Sequence, residues 1–177
     1  MLNVMEGAYA EFSGEMAATE VKNYRSVFYN AGTLEFKSDA HFYDCGTNVF
    51  RDNVGKLRFR GDAKFERNRY LGINNVGSGT GALYNSGSVE FFGAVQMIGN
   101  DASYTGGGLA VGGGGSVSFG GWATIEDNTA TENGGAMSIL DDNGVGSSVE
   151  FEKPTNVKID GNLKTGSDVG CNNIYLE

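Results

Sequence analysis

Residues 115–139 read GSVSFGGWATIEDNTATENGGAMSI, and they hold one complete copy of a unit that recurs along the chain. Its opening fits a G-x-[LV]-x-F frame. Phe36, Phe59, Phe91, Phe119 and Phe151 make one column, with Leu34, Leu57, Val89, Val117 and Val149 two residues before them. Two earlier again stand Gly32, Gly55, Gly87, Gly115 and Ser147. Six residues after the first four phenylalanines come Phe42, Phe65, Met97 and Ile125, and Ile159 joins them if the segment around Pro154 carries two extra residues. Three further on are Cys45, Asn68, Asn100, Asn128 and Asn162.

Each copy then crosses a polar stretch into a second apolar group: TGALYN (80–85), GGLAV (107–111), GGAMSI (134–139) and NNIYL (172–176). RSVFYN (25–30) takes the same column ahead of Phe36, whereas NVFRDN (48–53) fits it only loosely. An earlier copy lies around Phe12, although EMAATEVK (15–22) reads equally as a short helix. Residues 1–24 are therefore a cap or a first rung.

Successive phenylalanine anchors are 23 to 32 residues apart, and self-similarity at about 20–50 residues marks stacked architectures. Within the frame Leu34 and Phe36 alternate with Thr33, Glu35 and Lys37, the period of a half-buried strand. Units this small cannot bury their own apolar faces and must stack on one another. The fold predicted is all-β, a right-handed parallel β-helix of about six rungs, with residues 1–177 as a single domain. The outward row tests the register: Glu35, Arg58, Glu90, Ser118 and Glu150 place no like charges on adjacent rungs, as cross-strand pairing requires. Asparagines at the corners would satisfy backbone groups and repeat as a ladder. Cys45 would take that position once as a small buried residue.

Composition agrees. The chain has 29 Gly and one Pro beside 11 Phe and 8 Tyr, a pattern of many turns between aromatic strands rather than of a collagen-like or disordered chain. A net charge of −9 argues against a phosphate-backbone partner, because nucleic-acid binding needs clustered basic surface. No apolar run approaches a membrane span, so any membrane association is expected to be peripheral. MLNVMEGAYAEF at the start lacks the basic and apolar regions of a signal peptide, so export is expected to be encoded elsewhere.

The FxxN-type stretches FERN (65–68) and FRDN (50–53), their relaxed forms MIGN (97–100) and IEDN (125–128), and GGAM at 134–137 resemble the GGA[ILV] and FxxN repeats of chlamydial polymorphic outer-membrane proteins and related β-helix proteins. FRDN stands out of register with the others. The resemblance spans roughly residues 25–176 and implies a β-helix serving adhesion or surface display. An extracellular or cell-surface setting, or an organelle lumen, is expected over the cytoplasm. The barrel that anchors such passengers is not within this sequence.

Chemical sites are sparse. GGGLAVGGGG (106–115) lacks the Lys-Ser/Thr ending of a phosphate-binding loop, and its glycines read as tight corners. His41, the only histidine, falls on an outward row with Lys64, Gln96, Thr124 and Lys158 and reads as a solvated surface residue. Asp44, Asp127 and Asp160 fall in mismatched columns, so no catalytic carboxylate cluster is expected. DDNG (141–144) lacks the alternating acids of a calcium loop and reads as a turn with Gly144 left-handed. Cys45 and Cys171 stand near opposite ends of the stack and should not pair. No catalytic residue, cofactor or metal is predicted.

The favoured function is a non-catalytic structural or protein-interaction module. An interaction surface would involve Phe92, Ile98, Tyr104 and Trp122. As a variant, Phe92 and Ile98 would dock an accessory subunit onto a larger, membrane-bound assembly. The alternative class is a carbohydrate-binding or polysaccharide-cleaving or -epimerising β-helix, favoured if Asp, Lys and His41 converge in a groove. The net charge matches a polyanionic substrate poorly.

Overall fold

The computed structural model describes residues 2–19, 26–70, 79–141, 144–153, 156–166, 170–171 and 174–176. These residues form a parallel β-helix. Each of six turns of chain contributes one strand to each of three long sheets and, from the third turn on, two residues to a fourth, and a last strand, Ile174–Leu176, is added to the first sheet. The first sheet stacks Leu2–Val4, Ser26–Asn30, Asn48–Asn53, Leu83–Asn85, Leu109–Val111, Met137–Ile139 and Ile174–Leu176. The second stacks Tyr9–Phe12, Thr33–Phe36, Lys56–Phe59, Ser88–Phe91, Ser116–Phe119 and Ser148–Phe151. The third stacks Met16–Thr19, Ala40–Tyr43, Ala63–Glu66, Val95–Ile98, Ala123–Glu126 and Val157–Asp160. The short fourth sheet runs from Arg69–Tyr70 through Asp101–Ala102, Thr129–Ala130 and Leu163–Lys164 to Gly170–Cys171, whose pairing alone is antiparallel.

The columns read from the sequence are the columns of the stack. Phe12, Phe36, Phe59, Phe91, Phe119 and Phe151 pair in register, and their rings stack at 4.9 to 5.1 Å between centroids. That distance matches the spacing of adjacent strands, so one side-chain rotamer repeated on every rung fills the interior. Phe28 stacks on Phe50 and Phe42 on Phe65, and these columns meet the first edge-on, as Phe36 meets Phe42 at 5.7 Å. Ring edges against ring faces are the favoured aromatic geometry.

Ile125 pairs with Ile159, so the register resumes after the two-residue insertion around Pro154. Phe12 pairs with Phe36 and Met16–Thr19 with Ala40–Tyr43. The opening residues are thus a first rung, and the helix considered for 15–22 is not formed at 16–19; residues 20–22 lie outside the described set. Two sequence readings are extended by the structure. Counting the first rung, Glu11 pairs directly with Glu35, a like-charged neighbour that the later rungs avoid. NVFRDN fits after all: Phe28 pairs with Phe50 and Tyr29 with Asp52, a bulge that absorbs one residue and returns Asn53 to register.

The corner asparagines form the expected ladder. Asn68, Asn100 and Asn128 each donate Nδ2–H to the Oδ1 of the next, ending at Asn162, over 2.9–3.0 Å. Each Oδ1 also accepts the backbone N–H of the preceding member, and each Nδ2 reaches a carbonyl of the preceding rung, as Asn128 reaches Met97 at 2.8 Å. Cys45 heads the column: it is buried and gives its N–H to Asn68 Oδ1. Asn128→Ala would strand the N–H and an amide proton of Asn100 and the carbonyl of Met97. Its expected cost is about 1–3 kcal/mol, read as a lowered denaturation midpoint with no ligand added.

Candidate functional site: the corner between the second and third sheets

Strands of the second sheet end in a tight corner before the third begins, and the residue just before each third-sheet strand forms a column. Backbone bonds define it: Met16, Ala40, Ala63 and Val95 donate their N–H to the carbonyls of Asp39, Asp62, Ala94 and Trp122. Glu15, Asp39, Asp62, Ala94 and Trp122 therefore follow one another down the corner. Beside it, on the outer face of the third sheet, His41, Lys64, Gln96, Thr124 and Lys158 pair in register.

Over the first three rungs these two rows enclose an open groove of about 570 Å³, lined by Glu15, Asp39, His41, Asp62 and Lys64 together with Met16, Ala17 and Ala40. Asp39 Oδ1 accepts the N–H of Asp62 and Asp62 Oδ1 that of Ala94, both at 2.8 Å, so each carboxylate closes the next corner with one oxygen. His41 is not simply solvated: its Nε2 lies 2.6 Å from Glu66 Oε2 and its ring leans on Tyr43 at 4.5 Å. Lys64 is exposed and, among the described residues, has no carboxylate partner.

Elsewhere the outer charges neutralise one another from rung to rung. Arg58 and Lys56 hold Glu90, Arg67 grips Asp44 with two bonds of 2.8 and 2.9 Å, and Lys158 pairs with Glu126. Glu35 and Glu11 tolerate each other because Arg60 bonds Glu35 at 2.6 Å, Lys37 bonds Glu11 at 3.0 Å, and the Tyr9 hydroxyl lies within 2.8 Å of both carboxylates. The Tyr9 hydroxyl, with Lys37 and Ser13, pulls Glu11 down to about 2 from its ordinary 4.5. Arg60 and then Tyr9 lower Glu35, and Arg67 lowers Asp44.

For carboxylates depressed in the fold, the stabilisation is complete above the unfolded value near 4.5 and is lost as pH falls toward about 2. The melting temperature is therefore expected to decline below about pH 5. Glu35→Gln should start lower at neutral pH and decline less steeply. A parallel decline in that variant would remove Glu35 from the acid response.

The interaction residues expected from sequence are brought together only in part. Trp122, 63% exposed, and Phe92, 47% exposed, lie on this corner on adjacent rungs. Arg60 covers one face of Phe92, its guanidinium carbon 4.1 Å from the ring centroid. Ile98 is half-buried on the third sheet's outer face, and Tyr104, 48% exposed, follows the fourth sheet on another corner.

Two features escaped the sequence reading. A second ladder joins Asn30, Asn53 and Asn85 at 2.7 Å, signalled by the final Asn of RSVFYN, NVFRDN and TGALYN. A left-handed column precedes the first ladder: Asp44, Arg67 and Asp127 have φ of 52 to 55°, and Gly99 and Gly161 have 64 and 66°. Asp44 and Asp127 thus share a column, three rungs apart, with Arg67 and Gly99 between; Asp160 belongs to another row. Gly144 is left-handed at φ 77°, as its turn requires.

Among the described residues no three or more His, Cys, Asp or Glu side chains are grouped to hold a metal ion, and no helix is long and apolar enough to cross a membrane. No protein-family model, curated protein or solved structure matches the chain.

Proposed function

We propose that this chain is a non-catalytic, adhesion-like binding module whose ligand is a carbohydrate held at the corner between the second and third sheets. The observation that carries this is the convergence of Asp39, Asp62, Lys64 and His41 in one groove. Donors and acceptors on a rigid concave surface are what sugar hydroxyls need for orientation. The groups suit holding better than turnover. One oxygen of Asp39 and of Asp62 is bonded to a backbone N–H, and His41 is bonded to Glu66, whereas a general acid or base must be free to exchange a proton with substrate. The resemblance to polymorphic outer-membrane repeats supports the adhesion-like reading.

Calorimetric titration with soluble neutral polysaccharides tests it. Saturable binding is expected, weakened about tenfold in Lys64→Ala, the equivalent of roughly 1.4 kcal/mol for one charged contact. Among the described residues Lys64 holds no hydrogen-bond or ion-pair partner, so the variant should keep its melting temperature. Absence of binding by the folded wild-type chain would contradict the proposal.

A second reading, docking on a protein partner, is favoured by Phe92 and Ile98. Its patch is smaller than the sequence suggested, because Arg60 shields Phe92 and Ile98 is half-buried. A stoichiometric complex purified from the native source and lost in Phe92→Ser would support this reading over the first.

A further inference from the structure

We infer that the carbohydrate site extends beyond the groove as a linear track along the helix axis, ending on the ring of Trp122, and that it takes a neutral, unbranched oligosaccharide. The inference rests on the carbohydrate reading of the groove and adds its length, direction and charge preference.

Register sets the direction. The groove occupies the first three rungs, and Trp122 continues the column of Glu15, Asp39, Asp62 and Ala94 on the fifth. At about 4.8 Å per rung, Trp122 lies about 10 Å beyond Asp62 and about 19 Å from Glu15. The intervening position is Ala94, whose methyl leaves the corner low. Alongside it run Gln96 and Thr124, half-buried and in register with Lys64. A chain laid along the corner would thus meet charged hydrogen-bonding groups first, then an amide and a hydroxyl, then an indole.

Trp122 is the most exposed large aromatic side chain among the described residues, at 63%. An indole left in water at the end of a polar row is suited to the apolar face of a pyranose, since Trp offers one broad apolar surface and a polar N–H at its edge. Charge sets the ligand class. Glu15, Asp39 and Asp62 outnumber Lys64 in the groove, and His41 faces Glu66. A uronate or sulfated chain would meet net repulsion, whereas hydroxyls of a neutral chain can donate to the carboxylates and accept from Lys64.

The test is titration of the intact chain with a neutral disaccharide and with neutral oligosaccharides long enough to cover about 19 Å, in wild type, Trp122→Ala and Trp122→Phe. The long ligands are expected to bind at least about tenfold more tightly than the disaccharide. Trp122→Ala should remove that advantage, Trp122→Phe should restore most of it, and disaccharide binding should not change. Equal affinity for long and short ligands with no effect of Trp122→Ala would overturn the track while leaving the groove reading intact. Preference for a matched anionic polysaccharide would overturn the charge assignment. Failure of every oligosaccharide to bind a chain with wild-type melting behaviour would overturn the groove reading, and the track with it.

Discussion

Replacing Gly135 by valine is expected to be among the most damaging single changes in this chain, costing about 3–5 kcal/mol or preventing folding altogether. A Cβ at this position would stand 2.6 Å from the nitrogen and 2.8 Å from the oxygen of Leu163 on the next rung. Both atoms are backbone, and Leu163 is tied by its pairing with Thr129, so the neighbour cannot yield without opening the fourth sheet. Branching at Cβ adds two methyl groups to a space that does not admit one. Chemical denaturation of Gly135→Ala and Gly135→Val should show successive losses, without added phosphate, sugar or metal. Unchanged midpoints would mean that this glycine pair is not a stacking corner.

Phe91→Ala should cost roughly 3–5 kcal/mol. The ring stacks on Phe59 at 4.9 Å and Phe119 at 5.1 Å and meets Phe65 edge-on. Those neighbours are held by their own rungs, so the cavity cannot collapse. Ser118→Ala, one residue from the same column on the outward row, is the control and should be nearly neutral. Comparable midpoints for Phe91→Ala and Ser118→Ala would refute the inward register.

Both expectations were legible in the sequence because they depend on repetition. A parallel stack places equivalent residues over one another at a fixed spacing, so an apolar column such as Leu34 to Val149, or an amide column such as Asn68 to Asn162, survives variable loops between its members. The second ladder was harder to read because Asn53 sits after a bulge that shifts its spacing from Phe50 by one residue. The left-handed column was hidden for a different reason: Asp44, Arg67, Gly99, Asp127 and Gly161 share a backbone conformation but no side-chain chemistry. Arg67 is the least expected of them, and its bidentate grip on Asp44 of the preceding rung accompanies that conformation.

The groove was legible only as a condition. His41 and Lys64 could be aligned from the repeat, yet Asp39 and Asp62 join them through the corner geometry, which brings the end of one face beside the start of the next. Trp122 stands three residues after Phe119 as Asp39 and Asp62 stand three after Phe36 and Phe59, so the repeat aligns the column, but periodicity alone does not place that corner beside the outer row of His41 and Lys64. The charge pairs that occupy the other outer surfaces follow from which side chains reach across a rung, as Arg60 reaches Glu35 and Phe92. Such reach depends on rotamers that periodicity does not specify.

The central claim, that this corner binds carbohydrate without transforming it, is tested most directly by one incubation with a neutral polysaccharide in which retention of the protein and formation of new chain ends are measured together. The account expects retention that is saturable and reduced in Lys64→Ala, with no new reducing or unsaturated ends at any time. New chain ends that accumulate with the wild-type protein and disappear with His41→Ala would contradict it, and would make the groove an active site.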